Sequence, residues 1–172
     1  MNHLSMGDFG FSKLRRFVFA AIIWISVFPA MAGVLQLTDA PYIDLSANFE
    51  VFVDETKSLS VDQVVALQPN FRPVQEPDLV RKYDSRVFWL RMTLLNATQF
   101  PMERWLDIGH PRLESVKLYQ RREGAWNVMN SGVSVPKDEK LIHGAVAFPL
   151  KIAPGERQEL WMRVQSRTSL DL

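Results

Sequence analysis

The chain has no cysteine. That absence removes disulfides, thiolate nucleophiles and cysteine-ligated zinc at once, and leaves the compartment to be read from other features. Histidine is nearly as scarce, with His3, His110 and His143 the three in 172 residues. Neither sign of charge dominates, at 20 Lys+Arg against 19 Asp+Glu. Nucleic-acid binding ordinarily needs a clustered basic excess, so nucleic acid is not an expected partner. The nucleophile elbow G-x-S-x-G, the phosphate loop G-x-x-x-x-G-K-[ST], the zinc helix H-E-x-x-H and the dinucleotide turn G-x-G-x-x-G are all missing, so no cofactor and no catalytic group is expected. Internal repeats and low-complexity tracts are absent too.

What is present is enough apolar material for a core, 47% of the chain with 11% aromatic. One long apolar run stands out. Lys13, Arg15 and Arg16 precede Phe17–Phe28, Pro29 breaks the run, and Ala30-Met31-Ala32 offers a small-residue cleavage site before Gly33. This is the layout of a Sec signal peptide over residues 1–32, which places the remainder in the periplasm or outside the cell. An uncleaved anchor is the alternative, since apolar residues continue through Val34, Leu35 and Leu37. Residues 33–41 read as a leader and 42–172 as one domain.

Within that domain, apolar and polar residues alternate in short runs bounded by Gly, Pro and Asn. Arg86–Leu95, Met102–Ile108 and Leu113–Gln120 form three successive strands. Phe49–Asp54, Trp126–Met129, His143–Leu150 and Glu159–Gln165 add four more, and a short strand is expected at Tyr42–Leu45. Pro149 puts its end of a strand at an edge or bulge. Ser60 is a plausible N-cap, and Val61, Val64 and Val65 follow at helical spacing, so Ser60–Leu67 reads as one short helix ended by Pro69. Asn70–Asp84 and Arg121–Ala125 read as loop and charged turn. The expected fold is all-β: an antiparallel β-sandwich of jelly-roll type, with eight or nine strands and one helix. The chain stops at Leu172 where a last strand begins, which suggests a truncated end.

One face of the alternation is plain core: Phe88, Leu90, Met92, Leu94, Leu106, Ile108, Leu160, Met162 and Val164. The other face carries Trp89 and Arg91, Trp105 and Asp107, and Trp161 and Arg163. Three strands thus repeat a tryptophan with a charged residue two positions on, and the pleat sends both to one side. Since a sheet needs only one apolar face, these six residues are the candidate ligand-binding face, with rings to stack and charged groups to fork. Burial against the rim of the core or a partner domain is the competing reading. His110 and His143 could pair with Asp107 or Asp138 as metal or acid–base groups. Their positions, in a Gly-His-Pro turn and at a strand start, favour a structural role, and no metal site is expected.

Several runs together resemble a known family. W-L-R-M-T-L-L-N (Trp89–Asn96), R-W-L-D-I-G-H-P-R-L-E-S-V-K-L-Y (Arg104–Tyr119), F-P-L-K-I-A-P-G-E (Phe148–Glu156) and L-W-M-R-V-Q-S-R-T-S-L (Leu160–Leu170) occur in an order similar to that of one sensor module. The earlier F-V-D-E-T-K-S-L-S-V-D-Q-V (Phe52–Val64) fits its opening strand and helix. The chain resembles the type 2 extracellular domain of bacterial seven-transmembrane receptors with diverse intracellular signalling modules. That resemblance implies a non-catalytic periplasmic sandwich similar to carbohydrate-binding modules. A small polar ligand, carbohydrate among the options, is implied as partner. In a longer protein, membrane helices and a diguanylate cyclase or histidine kinase would follow, with room for a homodimer. It carries no ligand residues over to this sequence. A freestanding secreted carbohydrate-binding module is the alternative, and a small periplasmic hydrolase a weaker third.

Overall fold

The period-two runs become strands, and their pairing decides which faces are covered. The computed structural model describes residues 33–75, 86–109, 113–136, 138, 142 and 145–165, so the expected signal peptide lies outside the described residues. Nine strands are seen among them: β1 (Val34–Leu37), β2 (Glu50–Asp54), β3 (Arg72–Pro73), β4 (Val87–Asn96), β5 (Met102–Asp107), β6 (Ser115–Arg122), β7 (Ala125–Ser131), β8 (Ala147–Ile152) and β9 (Arg157–Gln165). One α-helix, α1, spans Val61–Ala66. The larger sheet runs β3-β2-β4-β9-β6-β7, with β1 added against β4, and β5 and β8 form a second sheet. The chain is an all-β sandwich, as its alternation predicts.

Strand β4 is the axis of the large sheet. Along one edge it pairs with β9 over nine positions, Val87↔Gln165 to Leu95↔Arg157. The other edge is shared: β2 takes Val87–Arg91 in antiparallel register, and β1 takes Thr93–Asn96 in parallel. This sharing explains one departure from expectation. The strand of the leader is Val34–Leu37 and not Tyr42–Leu45, because the far half of β4 leaves ladder groups that Val34–Leu37 can satisfy. Residues 42–45 instead run into a 3-10 turn at Ser46–Asn48.

Turns are likewise tighter than the charged stretches suggest. Strand β6 continues through Arg122, and the hairpin to β7 closes on Glu123 and Gly124, both at positive φ (50° and 85°). That is the primed two-residue turn whose twist matches antiparallel strands. Strand β8 begins at Ala147, and its Pro149 faces Trp105 across a sheet of two strands, where each strand is an edge.

At the opposite corner, buried Asn96 joins the two sheets. Its amide donates to the carbonyls of Phe100 (2.8 Å) and Ile152 (3.1 Å), and its side-chain oxygen accepts from the backbone and hydroxyl of Thr98 (3.0 and 2.7 Å). The backbone of Asn96 meets Gly155 and Glu156 in the β8–β9 turn.

The nine aliphatic and aromatic residues assigned to the core from their alternation all fall in one buried cluster between the sheets. Phe148, Leu150 and Ile152 of β8 and Val116 and Leu118 of β6 belong to the same cluster. Burying each such side chain is worth about 1.5–3 kcal/mol, so this layer dominates stability.

Candidate functional site

The six residues of the expected binding face do not form one surface. Trp89 pairs with Arg163 and Arg91 with Trp161 across β4 and β9, so four of them do share a face. Trp105 and Asp107 lie on β5, in the other sheet. The Trp-x-charge spacing fixes which side of its own strand a residue takes. It carries no information about which sheet that strand joins.

The four that come together are covered. Trp89 and Trp161 are 0% and 1% exposed, in a second core with Val61, Val64, Phe71 and Val87. Phe71 meets Trp161 edge-on at 5.5 Å, and Tyr119 lies between Trp89 (5.5 Å) and Trp126 (6.4 Å). The cover is α1, whose Ser60 forms a full capping box with Gln63, the arrangement that satisfies two orphan donors at a helix start. Its Asp62 accepts a hydrogen bond from Trp126 Nε1 at 2.9 Å, tying the helix down on β7.

The charged members of this face hold the cover in place. Arg163 Nη2 donates to the carbonyl of Lys57 at 3.1 Å. Asp54 shapes the same connection: its carboxylate accepts from the Thr56 and Lys57 backbones (both 2.9 Å), the Thr56 hydroxyl (2.6 Å) and the Leu59 backbone (3.1 Å). Burial works to raise the pKa of Asp54, but these hydrogen bonds from Thr56, Leu59 and Lys57 outweigh it and hold the carboxyl below its ordinary value. Arg91 pairs with buried Glu50 and stacks over Phe71 (5.3 Å) and Trp161 (5.6 Å). Rings and charges that looked surplus to the core are the base of a second one.

Open space lies on the other side of the same strands. A pocket of about 470 Å³ sits where β5 stops covering the large sheet and the 40–46 segment begins. Its floor is Leu90 and Leu94 of β4, Met162 of β9 and Leu150 of β8; its rim carries Tyr42, Asp44, Arg104, Trp105 and Asp107. Tyr42 is 79% exposed and Trp105 57%, while Leu94 and Met162 are each 1% exposed. The size is ordinary for a small-molecule site, which is typically apolar inside with a few placed polar groups.

The rim groups differ in how far they are already engaged. Asp44 accepts from the Ser46 backbone (2.9 Å) and hydroxyl (2.7 Å), which together hold its pKa below the ordinary value. One oxygen of Asp107 accepts from the Gly109 backbone at 2.8 Å. Arg104 reaches the carbonyls of Thr38 (3.3 Å) and Glu103 (3.4 Å) through its terminal nitrogens, and its Nε is buried with no hydrogen-bond partner.

Two of the six expected residues, Trp105 and Asp107, therefore belong to this pocket, and Tyr42, Asp44 and Arg104 were missed. Arg104 had a signal. It stands on the apolar side of its strand, in the series Met102, Arg104, Leu106, Ile108, where a cation is out of place. Tyr42 and Asp44 had none, because their place over the pocket follows from how β1 docks. The histidines considered as metal or acid–base groups, His110 and His143, lie outside the described residues, and Asp138 is exposed. Among the described residues no group of three or more metal-capable side chains is found, and no helix is long and apolar enough to cross a membrane.

The chain is thus an all-β sandwich with a pocket of small-molecule size lined by strands of both sheets. The particular family is shown by comparison: the model of the 7TMR-DISM extracellular 2 domain matches residues 46–172, and the chain belongs to that family. It is a family of extracellular sensor domains, which places this domain on the outer side of the membrane. A comparison with curated proteins returns no match.

Proposed function

We propose that this chain is the ligand-sensing part of a bacterial membrane receptor, exported on the signal peptide at residues 1–32, with the sensor beginning near residue 42. In the longer protein the output is a diguanylate cyclase or a histidine kinase. Membership of the extracellular sensor family supports the receptor context. The observation that carries the sensing role is the pocket between the sheets, with its aliphatic floor and its rim of Tyr42, Asp44, Arg104, Trp105 and Asp107. A small molecule presenting polar groups to that rim is the ligand. Of the six face residues, Trp105 and Asp107 touch it; Trp89, Arg91, Trp161 and Arg163 support the floor strands from behind.

Signalling then needs only that the ligand favour one receptor arrangement over another. The floor belongs to β4 and β9 of the large sheet and β8 of the small one, and the rim to β5 and to Tyr42 and Asp44 just after the leader. A ligand touching all of them changes how the small sheet and leader sit on the large sheet.

Tryptophan emission and thermal unfolding of the purified chain test this against a panel of sugars, amino acids, polyamines and aliphatic acids. At least one class is expected to shift both, with the emission change lost in Trp105→Ala. Absence of any saturable response across the panel would refute a sensing pocket here.

A further inference from the structure

The chemistry of the pocket narrows the ligand further, resting on the reading of this pocket as the sensing site. We infer that it takes an amphipathic carboxylate, an acid with an extended apolar body, in preference to a sugar. A sugar carries hydroxyls around its whole edge, and each one buried without a partner costs about 1–3 kcal/mol. The floor of Leu90, Leu94, Leu150 and Met162 offers hydrocarbon and a thioether, with no strong hydrogen-bonding group. An aliphatic chain lies there at no such cost, and each methylene it removes from water contributes about 0.8 kcal/mol.

The head group is set by Arg104. Among the described residues, Arg104 is the one basic residue lining the pocket, and its terminal nitrogens make only long hydrogen bonds, to the carbonyls of Thr38 (3.3 Å) and Glu103 (3.4 Å), which leaves N–H groups for an incoming anion. Hydrogen bonds between an arginine and a carboxylate are among the stronger ones, and their strength grows as water is excluded. The rim carboxylates, by contrast, are exposed and already accept from Ser46 and Gly109. A cationic head would therefore exchange water for partly occupied acceptors and meet Arg104 as a like charge.

Decanoate, kept below its micelle concentration, is the probe, with 1-decanol, decyltrimethylammonium and maltose as comparisons, titrated calorimetrically into the full chain. Decanoate is expected to bind at one site per chain, at least tenfold more tightly than the other three. Arg104→Gln and Arg104→Lys are each expected to weaken decanoate at least tenfold and leave decanol unchanged, with circular dichroism and melting temperature unaltered. The lysine variant keeps the charge and lacks the planar fork of N–H donors, so it separates directed hydrogen bonding from simple attraction. Equal affinity for decanoate and decyltrimethylammonium, or no effect of either variant, overturns the carboxylate assignment. Binding of maltose, quenched at Trp105, with no decanoate response overturns the acyl class and leaves the sensing pocket standing. No binding of any probe, together with silence across the broader panel, removes both.

Discussion

The two cores on either side of β4 and β9 are built on different physics. The one between the sheets is almost wholly aliphatic and thioether, with Phe88 and Phe148 as its fully buried rings. Its cohesion is non-directional and scales with the area removed from water. The one under α1 is aromatic and contains charges: Phe71 and Trp161 pack against Arg91 of the Arg91–Glu50 pair, Trp89 packs against Tyr119, and the layer is closed by a connection that Asp54 and Arg163 hold. A hydrophobic layer tolerates variation of detail as long as volume is kept. A layer closed by a few directed hydrogen bonds is less tolerant, because each donor or acceptor lost leaves its partner unpaired.

The largest effect tests whether the second layer is a core at all. Phe148→Ala, between the sheets, and Trp161→Ala, under the helix, are each expected to cost about 3–5 kcal/mol in urea unfolding, the usual range for emptying a buried aromatic site. Were Trp161 a platform open to solvent, its truncation would cost well under half of that, and the comparison would fail.

A smaller effect separates the two physics. Glu50→Ala leaves Arg91 in the second core without its carboxylate and is expected to destabilise by about 2–3 kcal/mol, somewhat under the usual figure for a broken buried pair because Arg91 keeps some solvent contact. Replacing both, as Glu50→Leu with Arg91→Met, is expected to recover most of that loss. A double mutant as unstable as Glu50→Ala would mean that the pair contributes more than mutual compensation.

The smallest effect concerns pH. Because the folded pKa of Asp54 is held below its ordinary value, its contribution is complete above an unfolded pKa of about 3.9 and is lost as pH falls through the lower folded value. Asp54→Asn, which keeps the shape and removes the charge, is expected to cost about 1–2 kcal/mol at neutral pH. It should also flatten the acid limb of the stability curve below pH ~4. An acid limb unchanged in the variant would place the acid sensitivity in other carboxylates.

Much of the fold was legible because alternation is local. Phe88, Leu90, Met92 and Leu94 announce their face without reference to anything distant, and Ser60 ahead of Val61, Val64 and Val65 announces the start of α1. The family resemblance was legible in the same way, as motifs in order, and the comparison bears it out. The cover over Trp89 and Trp161 was not. It depends on Arg163 reaching a carbonyl 106 positions earlier in the chain and on Trp126 reaching Asp62, 64 positions away. The split of Trp105 from Trp89 and Trp161 was equally hidden, since it lies in strand pairing. Two of the five rim residues, Tyr42 and Asp44, follow a leader strand whose docking rests on a four-residue parallel ladder to Thr93–Asn96, too short to leave a pattern.

Both faces of β4 are now accounted for, and with them its length. Phe88, Leu90, Met92 and Leu94 face the inner core and the pocket, while Trp89 and Arg91 face the helix. Inserting or deleting one residue within the strand exchanges the two sets beyond that point. Tryptophan and arginine would then turn toward the pocket, and aliphatic side chains toward a site shaped for rings and an ion pair. Strand β9, matched to β4 at nine positions, is under the same restriction. Length variation among relatives of this domain is therefore expected in the turns, such as Ala97–Pro101, and not within β4 or β9.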